Sequence, residues 1–274
     1  MKNFLIRTIS GFMLFGGVIL ASYVGDIAFF ILTSIVMCCV AFEWSYMAGK
    51  LKFGIDSMVL VTFLMVSLLF GFMNYYLYGI ITICIGSYIV YMVTKFRVYS
   101  EYVILQPKKI NRPFFMTMGL VYVGLSFLGL SYIITYGEGY YNVIWFVICV
   151  SANDTGAYVF GSLLKGKKLI PSISKNKTWS GFISGIFVSA ICSYMFAEFI
   201  WNKNGFEFFL IGIFVAMVAT FGDLIQSAFK RYVNVKDSGK IIPGHGGVFD
   251  RMDSVMLSSI VIGLVVWKMA GNVF

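Results

Sequence analysis

The sequence predicts an all-α, polytopic integral membrane protein with about nine transmembrane helices and a cytoplasmic N-terminus. Three observations predict it. Of 274 residues, 59% are hydrophobic and 12% charged, with a mean hydropathy of +0.88. A soluble domain is nearer half apolar and a quarter charged, so a soluble enzyme, a disordered chain and a fibrous protein are excluded. Nine separate apolar runs approach the roughly 20 residues that a helix needs to cross a bilayer core. Finally, 19 of the 21 Lys and Arg residues fall on alternate inter-run segments.

The first run, 7–24, follows Lys2 and Arg7 and imitates a signal peptide. Eight further runs follow, so it is expected to stay as an uncleaved first helix. Runs 27–48, 55–73 and 76–94 come next, divided by Gly25-Asp26, by Lys50 and Lys52, and by Asn74-Tyr75. The fifth run, 114–136, follows a basic segment (95–113), and Gly137-Glu138-Gly139 leads into the sixth, 140–162. The seventh, 181–201, comes after the lysine-rich 163–180, and Asn202-Lys203-Asn204 precedes the eighth, 206–224. The long segment 225–252 then leads to the ninth, 253–272. A β-barrel would need alternating strands of about ten residues, and continuous runs such as 27–41 do not alternate.

With the N-terminus inside, only Lys203 and Lys268 lie outside. Eight or ten spans would leave a basic loop on the wrong side. All three long loops then face the cytoplasm, where function is expected. The composition divides one continuous membrane domain into a nearly uncharged anchor region, 1–94, and a region with polar cytoplasmic loops, 95–274, where a catalytic role is expected. The net charge of +9 belongs to these loops, and no nucleic-acid partner is expected. Cys38, Cys39, Cys84, Cys149 and Cys192 lie in apolar runs without a C-x-x-C pair, which favours inert thiols over disulfides or zinc.

Two aspartates interrupt apolar helical runs: Asp154 and Asp223. An ionised Asp at mid-membrane costs roughly 2.5–3.5 kcal/mol on insertion scales, so each calls for a use. Glu43 ends another run, but Trp44 and Tyr46 beside it suggest an interfacial position. Residues 223–254 concentrate Asp223, Asp237, Asp250 and Asp253 with five bases and the chain's one His, His245. Asp223, Ser227, Lys230 and Arg231 share a helix face, and Asp250 and Asp253 share another if the last span starts there. Carboxylates hold Mg²⁺ through oxygen, and substrate phosphates complete its shell. Lys and Arg take the remaining phosphate charge, and Gly244, Gly246 and Gly247 let backbone N–H groups approach an anion. Lys165, Lys167 and Lys168 read equally well as topology-setting charges, whereas Lys177 and Thr178, next to the seventh helix, are better ligand candidates. Gly161–Lys167 fits a P-loop up to its last position, but no strand precedes it and Lys168 stands where Ser or Thr is needed.

The run Ser227-Ala-Phe-Lys230-Arg231-x4-Lys236-Asp237-Ser-Gly-x3-Pro243-Gly-His245-Gly-Gly-Val-Phe-Asp250-Arg251-Met-Asp253 closely resembles the signature of the phosphatidate cytidylyltransferase, or CDP-diacylglycerol synthase, family. Asn153-Asp154-Thr-Gly-Ala-Tyr158 and Ile173-Ser174-x-x-Lys177-Thr178-Trp179-x-Gly181 resemble its two upstream elements. These motifs cover about 150–254, and the first half agrees only in being hydrophobic. Three departures stand out: Gln226 and Ser180 where the family pattern has Glu, and Lys175-Asn176 where it has Pro-Lys.

The resemblance implies that CTP and phosphatidic acid give CDP-diacylglycerol and pyrophosphate for phospholipid biosynthesis. The reaction would use Mg²⁺, with a second cation left open. It implies a multi-pass protein of the bilayer (the cell membrane in a bacterium), with its site on the cytoplasmic face and a homodimer as one assembly. By the match, Asp223, Lys230, Arg231, His245 and Asp250 are catalytic, and Asp223, Asp250 and Asp253 bind metal. Ser227, Lys230, Arg231, Lys236, His245 and Arg251 touch phosphates. Asp154, Lys177, Thr178, Asp237, Gly246 and Gly247 complete the substrate pocket. Two other readings fit less of the pattern. A CTP-dependent lipid kinase of the polyprenol type would move the γ-phosphoryl group instead. A transporter or scaffold would use Asp154 and Asp223 as an ion path, but would more often break its helices at mid-membrane in paired halves.

Overall fold

The computed structural model describes residues 16–48, 53–101, 111–171, 173–239, 241 and 246–269. Their helices are α1 (16–24), α2 (Asp26–Met47), α3 (Ile55–Phe72), α4 (Tyr76–Glu101), α5 (Arg112–Thr135), α6 (Gly139–Leu164), α7 (Trp179–Phe199), α8 (Gly205–Tyr232) and α9 (Asp253–Met269). Seven of these, α2 to α8, are long and apolar enough to cross a membrane, and the apolar part of α9, Asp253–Val266, is shorter. The protein is an all-α polytopic membrane protein. Exposed Ile27, Ile31 and Ile35 repeat every fourth residue on α2, the spacing of one helix face, and an apolar exposed face suits contact with lipid.

α5 is the most buried of the seven and packs on α2, α3, α4, α6 and α9. Lipid tails are as apolar as leucine, so helices in a membrane gain by close packing of small residues. The α5–α9 seam is built this way. A Cβ on Gly263 would lie 2.9 Å from the Cα of Gly129, and one on Gly129 would overlap the Ser259 carbonyl. The Ser259 hydroxyl donates to the Ser126 carbonyl at 2.8 Å across the same seam. On the other side, α6, α7 and α8 pack in sequence. Trp145 Nε1 donates to Ser193 Oγ at 2.8 Å, which itself donates to the Phe208 carbonyl at 2.6 Å.

The back-and-forth path brings the end of α2, the start of α3, the end of α4 and the start of α5 together. Asp56, fully buried, accepts from Arg112 Nε and Nη2 at 3.1 and 2.9 Å and pairs with Arg97. A buried carboxylate needs such partners to stay ionised. Trp44 stacks on Phe115 with ring centroids 4.5 Å apart and meets Phe229 and Phe249 edge-on. Its Nε1 donates to the Phe115 carbonyl at 2.9 Å.

Several boundaries differ from expectation. α8 runs to Tyr232 rather than ending near 224. Polar residues from Asp223 onward share a face while Leu224 and Gln226 stay buried, so the helix continues past the apolar run. Segment 163–180 contains an antiparallel hairpin, β1 (Lys168–Ile170) and β2 (Ser174–Thr178), pairing Lys168 with Thr178 and Ile170 with Ser174. Glu43, read from sequence as interfacial beside Trp44 and Tyr46, is 2% exposed and Trp44 0%, because both face the protein's own loop and α5.

Candidate functional site

Asp223 lies in the last third of α8 and Ser227 one turn later, so Ser227 Oγ reaches Asp223 Oδ1 at 3.3 Å. The other oxygen of Asp223 pairs with Lys177 Nζ at 2.6 Å. Lys177 lies in β2 one residue before its end at Thr178, whose hydroxyl caps α7 by accepting from Gly181 N at 3.1 Å. Helix cap and strand together fix where Lys177 points.

Lys230, two turns past Asp223, donates from Nζ to Asp250 Oδ1 at 2.8 Å. Asp250 Oδ2 accepts from the backbone N–H of Ser238 at 2.8 Å, from Ser238 Oγ at 3.0 Å and from Gly247 N at 3.0 Å. Burial pushes the Asp250 carboxyl up, but Lys230 and the Gly247 and Ser238 N–H groups hold it below the usual carboxylate range. The Gly247 N–H, expected near a substrate anion, meets the protein's own Asp250 in this structure. A metal on Asp250 must displace one of these donors, and the Lys230 ammonium is the one that a cation replaces in kind.

Behind Asp250 sits Glu43, which sequence reasoning missed as part of the site. Its Oε1 accepts from Val248 N at 3.0 Å. Its Oε2 accepts from Phe249 N at 2.9 Å and from Ser238 Oγ at 2.8 Å. The single Ser238 hydroxyl proton is shared between the Glu43 and Asp250 carboxylates. Gly246 has φ +84°, which favours glycine, and a Cβ on Gly239 or Gly247 would overlap the Glu43 carboxylate or Ser238 Oγ. The glycines of this loop therefore let it close over Glu43.

Asp154, from α6, accepts from Ser254 Oγ of α9 at 3.1 and 3.0 Å and from Asn153 Nδ2 at 3.3 Å. Asp253 starts α9 within the field of Asp223, Asp154 and Lys230. Four carboxyl groups, Asp154, Asp223, Asp250 and Asp253, thus lie around two ammonium groups, Lys177 and Lys230. Hard oxygen donors of this kind suit a divalent ion such as Mg²⁺. Among the described residues no three His, Cys, Asp or Glu side chains form a ready metal cage, so water or substrate oxygens would have to complete the shell.

Arg231, Lys236, Asp237 and Arg251 are exposed around this group, and Arg231 Nη1 donates to the Val235 carbonyl at 3.3 Å. His245 lies outside the described residues. Of the departures, Gln226 points away from the site: it is buried and its Nε2 donates to Met256 Sδ at 3.3 Å. Ser180 Oγ accepts from Gly166 N at 3.2 Å and ties the α6–β1 connection to the start of α7. A cavity of about 770 Å³ opens beside Asp223 and Lys177, between α6, α7 and the hairpin.

The model of the cytidylyltransferase family matches residues 5–269. A phosphatidate cytidylyltransferase of Staphylococcus haemolyticus (strain JCSC1435) is 41% identical over 143 residues, which is 52% of this chain and 54% of that protein. Those of Staphylococcus aureus (strain COL) and Staphylococcus saprophyticus match over the same length and shares at 41% and 42%. The chain spans about half the length of these curated relatives.

Proposed function

We propose that this chain, which belongs to the cytidylyltransferase family, is a Mg²⁺-dependent phosphatidate cytidylyltransferase. A phosphatidic acid oxygen attacks the α-phosphorus of CTP, the bond from that phosphorus to the bridging oxygen breaks, and pyrophosphate leaves with the electron pair. CDP-diacylglycerol is the product. The observation that carries this reading is the meeting of Asp154, Lys177, Asp223, Lys230, Asp250 and Asp253. They come from four separated stretches of sequence, joined by the Lys177–Asp223 and Lys230–Asp250 pairs. An attacking phosphate is already ionised near neutral pH, so the site needs no strong base. It needs charges aimed at the attacking, transferring and leaving oxygens. Mg²⁺, when bound, would neutralise phosphate charge and orient the two substrates. Asp223 and Asp253 are its nearest candidate ligands, with Asp250 after release of Lys230. The lysines, Arg231, Arg251 and His245 would take the rest. The positive-inside bias supports a cytoplasmic position for this end of the bundle, and the protein would work there alone or as a homodimer.

The test is label transfer in detergent with Mg²⁺, phosphatidic acid and CTP labelled at the α- or γ-phosphate. α-Label in the lipid with pyrophosphate released is the expected result. γ-Label in the lipid would instead make the protein a lipid kinase. Absence of both, with the protein folded, would reject the enzymatic reading.

A further inference from the structure

The cavity beside Asp223 carries two bases that the family signature does not contain. Lys165 caps α6 in the left-handed conformation, with φ +46°, and Lys168 begins β1. Both line the cavity with Lys177, and Lys167, between them in sequence, does not. Placement on a cavity wall is more than a charge that sets topology requires, and Lys167 satisfies that rule without it. Much of the rest of the wall is apolar or small, including Ala157, Tyr158, Leu169 and Phe182.

Tyr158 itself is 79% exposed, and Leu163 and Leu164, further along α6, are 70% and 64% exposed. An exposed apolar face on a spanning helix is a lipid-facing one, so the cavity connects the carboxylates to the bilayer side. The bases of the signature loop and of α8, Lys230, Arg231, Lys236 and Arg251, line no part of it. The chain therefore offers two basic groups, with Asp223 on the cavity wall beside Lys177 and two turns of α8 before Lys230. One is reached from lipid and the other from the polar loop. CTP diffuses in water. A phosphate tied to two acyl chains cannot leave the bilayer, so its site must open sideways.

We infer that the α6–hairpin cavity is the subsite for the phosphate monoester of the glycerolipid, held by Lys165 and Lys168 beside Lys177. The assignment rests on the cytidylyltransferase reading for its place in the reaction. A monoester carries about −1.5 to −2 charges at neutral pH and a phosphodiester lipid only one, so paired lysines also select the monoester.

The test uses full-length protein in detergent. The variant is Lys165→Asn with Lys168→Gln, since Asn tolerates the left-handed backbone. Lys167→Gln is the control. We expect the KM for phosphatidic acid to rise at least tenfold in the double variant, with the KM for CTP and the control unchanged. A rise in the CTP KM instead, or no change in either, would overturn the assignment. A second arm needs no turnover: a fluorescent short-chain phosphatidic acid is bound without CTP and then displaced. Displacement by phosphatidic acid but not by phosphatidylglycerol or inorganic phosphate, with binding lost in the double variant, is expected. Equal displacement by inorganic phosphate would mean a free-phosphate site, and equal displacement by phosphatidylglycerol a general anionic surface. Binding as expected in a wild type that makes no CDP-diacylglycerol would reject the proposed reaction while keeping the lipid site.

Discussion

The carboxylate of Glu43 accepts the backbone N–H of Phe249 at 2.9 Å, across 206 residues of sequence. The same side chain holds Val248 and Ser238, so α2 supplies the floor on which Asp250 stands. Removing a buried acceptor leaves its donors unsatisfied at about 1–3 kcal/mol each. Glu43→Ala should therefore lower both turnover and melting temperature in detergent. Glu43→Gln keeps an acceptor oxygen and should retain more of both. A Glu43→Ala variant with wild-type turnover would show that the loop closes without this contact.

Asp250→Asn removes the charge that Lys230 and three other hydrogen bonds converge on. Turnover should fall on the order of 100-fold or more, the scale seen when one preorganised charge-stabilising group is lost. The protein should still purify as a folded species. Activity within a few-fold of wild type, measured with α-labelled CTP, would remove Asp250 from the catalytic group.

The depressed Asp250 pKa sets a pH expectation. A carboxyl lowered in the folded protein adds stability above its unfolded value of about 3.9 and loses it only as pH falls through the lower folded value. The loop should therefore stay closed from pH 7 to 5. Trp44, edge-on to Phe249 at 5.4 Å, reports this through fluorescence read against a Trp44→Phe control. Activity should nevertheless decline below about pH 6, where a phosphate monoester takes up its second proton. A Trp44 signal that moves with activity would place the titrating group in the loop instead.

Lys177 neutralises Asp223 at 2.6 Å. In Lys177→Met that carboxylate is released, so Mn²⁺, standing in for Mg²⁺, should bind more tightly while turnover falls. Electron paramagnetic resonance of Mn²⁺ with the detergent-solubilised variant reads the first effect without turnover. Weaker binding would count against Asp223 as a metal ligand.

At the α5–α9 seam no room exists for a side chain on Gly129. Gly129→Ala should destabilise by about 1–3 kcal/mol, the usual range for overpacking, lowering the melting temperature with no change in KM for either substrate.

The spans were legible because a helix that meets lipid must be apolar along about 20 residues, a property visible in any window. The face bearing Asp223, Ser227, Lys230 and Arg231 was legible for a similar reason: helical spacing is local. Glu43 was not. An acid after an apolar run reads as a helix end at the membrane surface, and nothing near it names residues 248 and 249 as partners. The Asp56–Arg112 pair escaped in the same way, since its members lie 56 residues apart. The hairpin was hidden in a lysine-rich segment whose alternation is too short to show. Gln226 looked like a lost ligand because the motif runs through it, yet helical geometry turns it toward Met256.

Glu43 leaves the ribosome roughly two hundred residues ahead of Val248 and Phe249. A nascent chain that has inserted α2 through α8 already owns Asp154, Lys177, Asp223 and Lys230, but nothing yet holds a loop against Glu43. The group is complete only when residues 248–253 and α9 follow and α9 packs along α5, so a copy lacking them would hold those four side chains without Asp250 or Asp253.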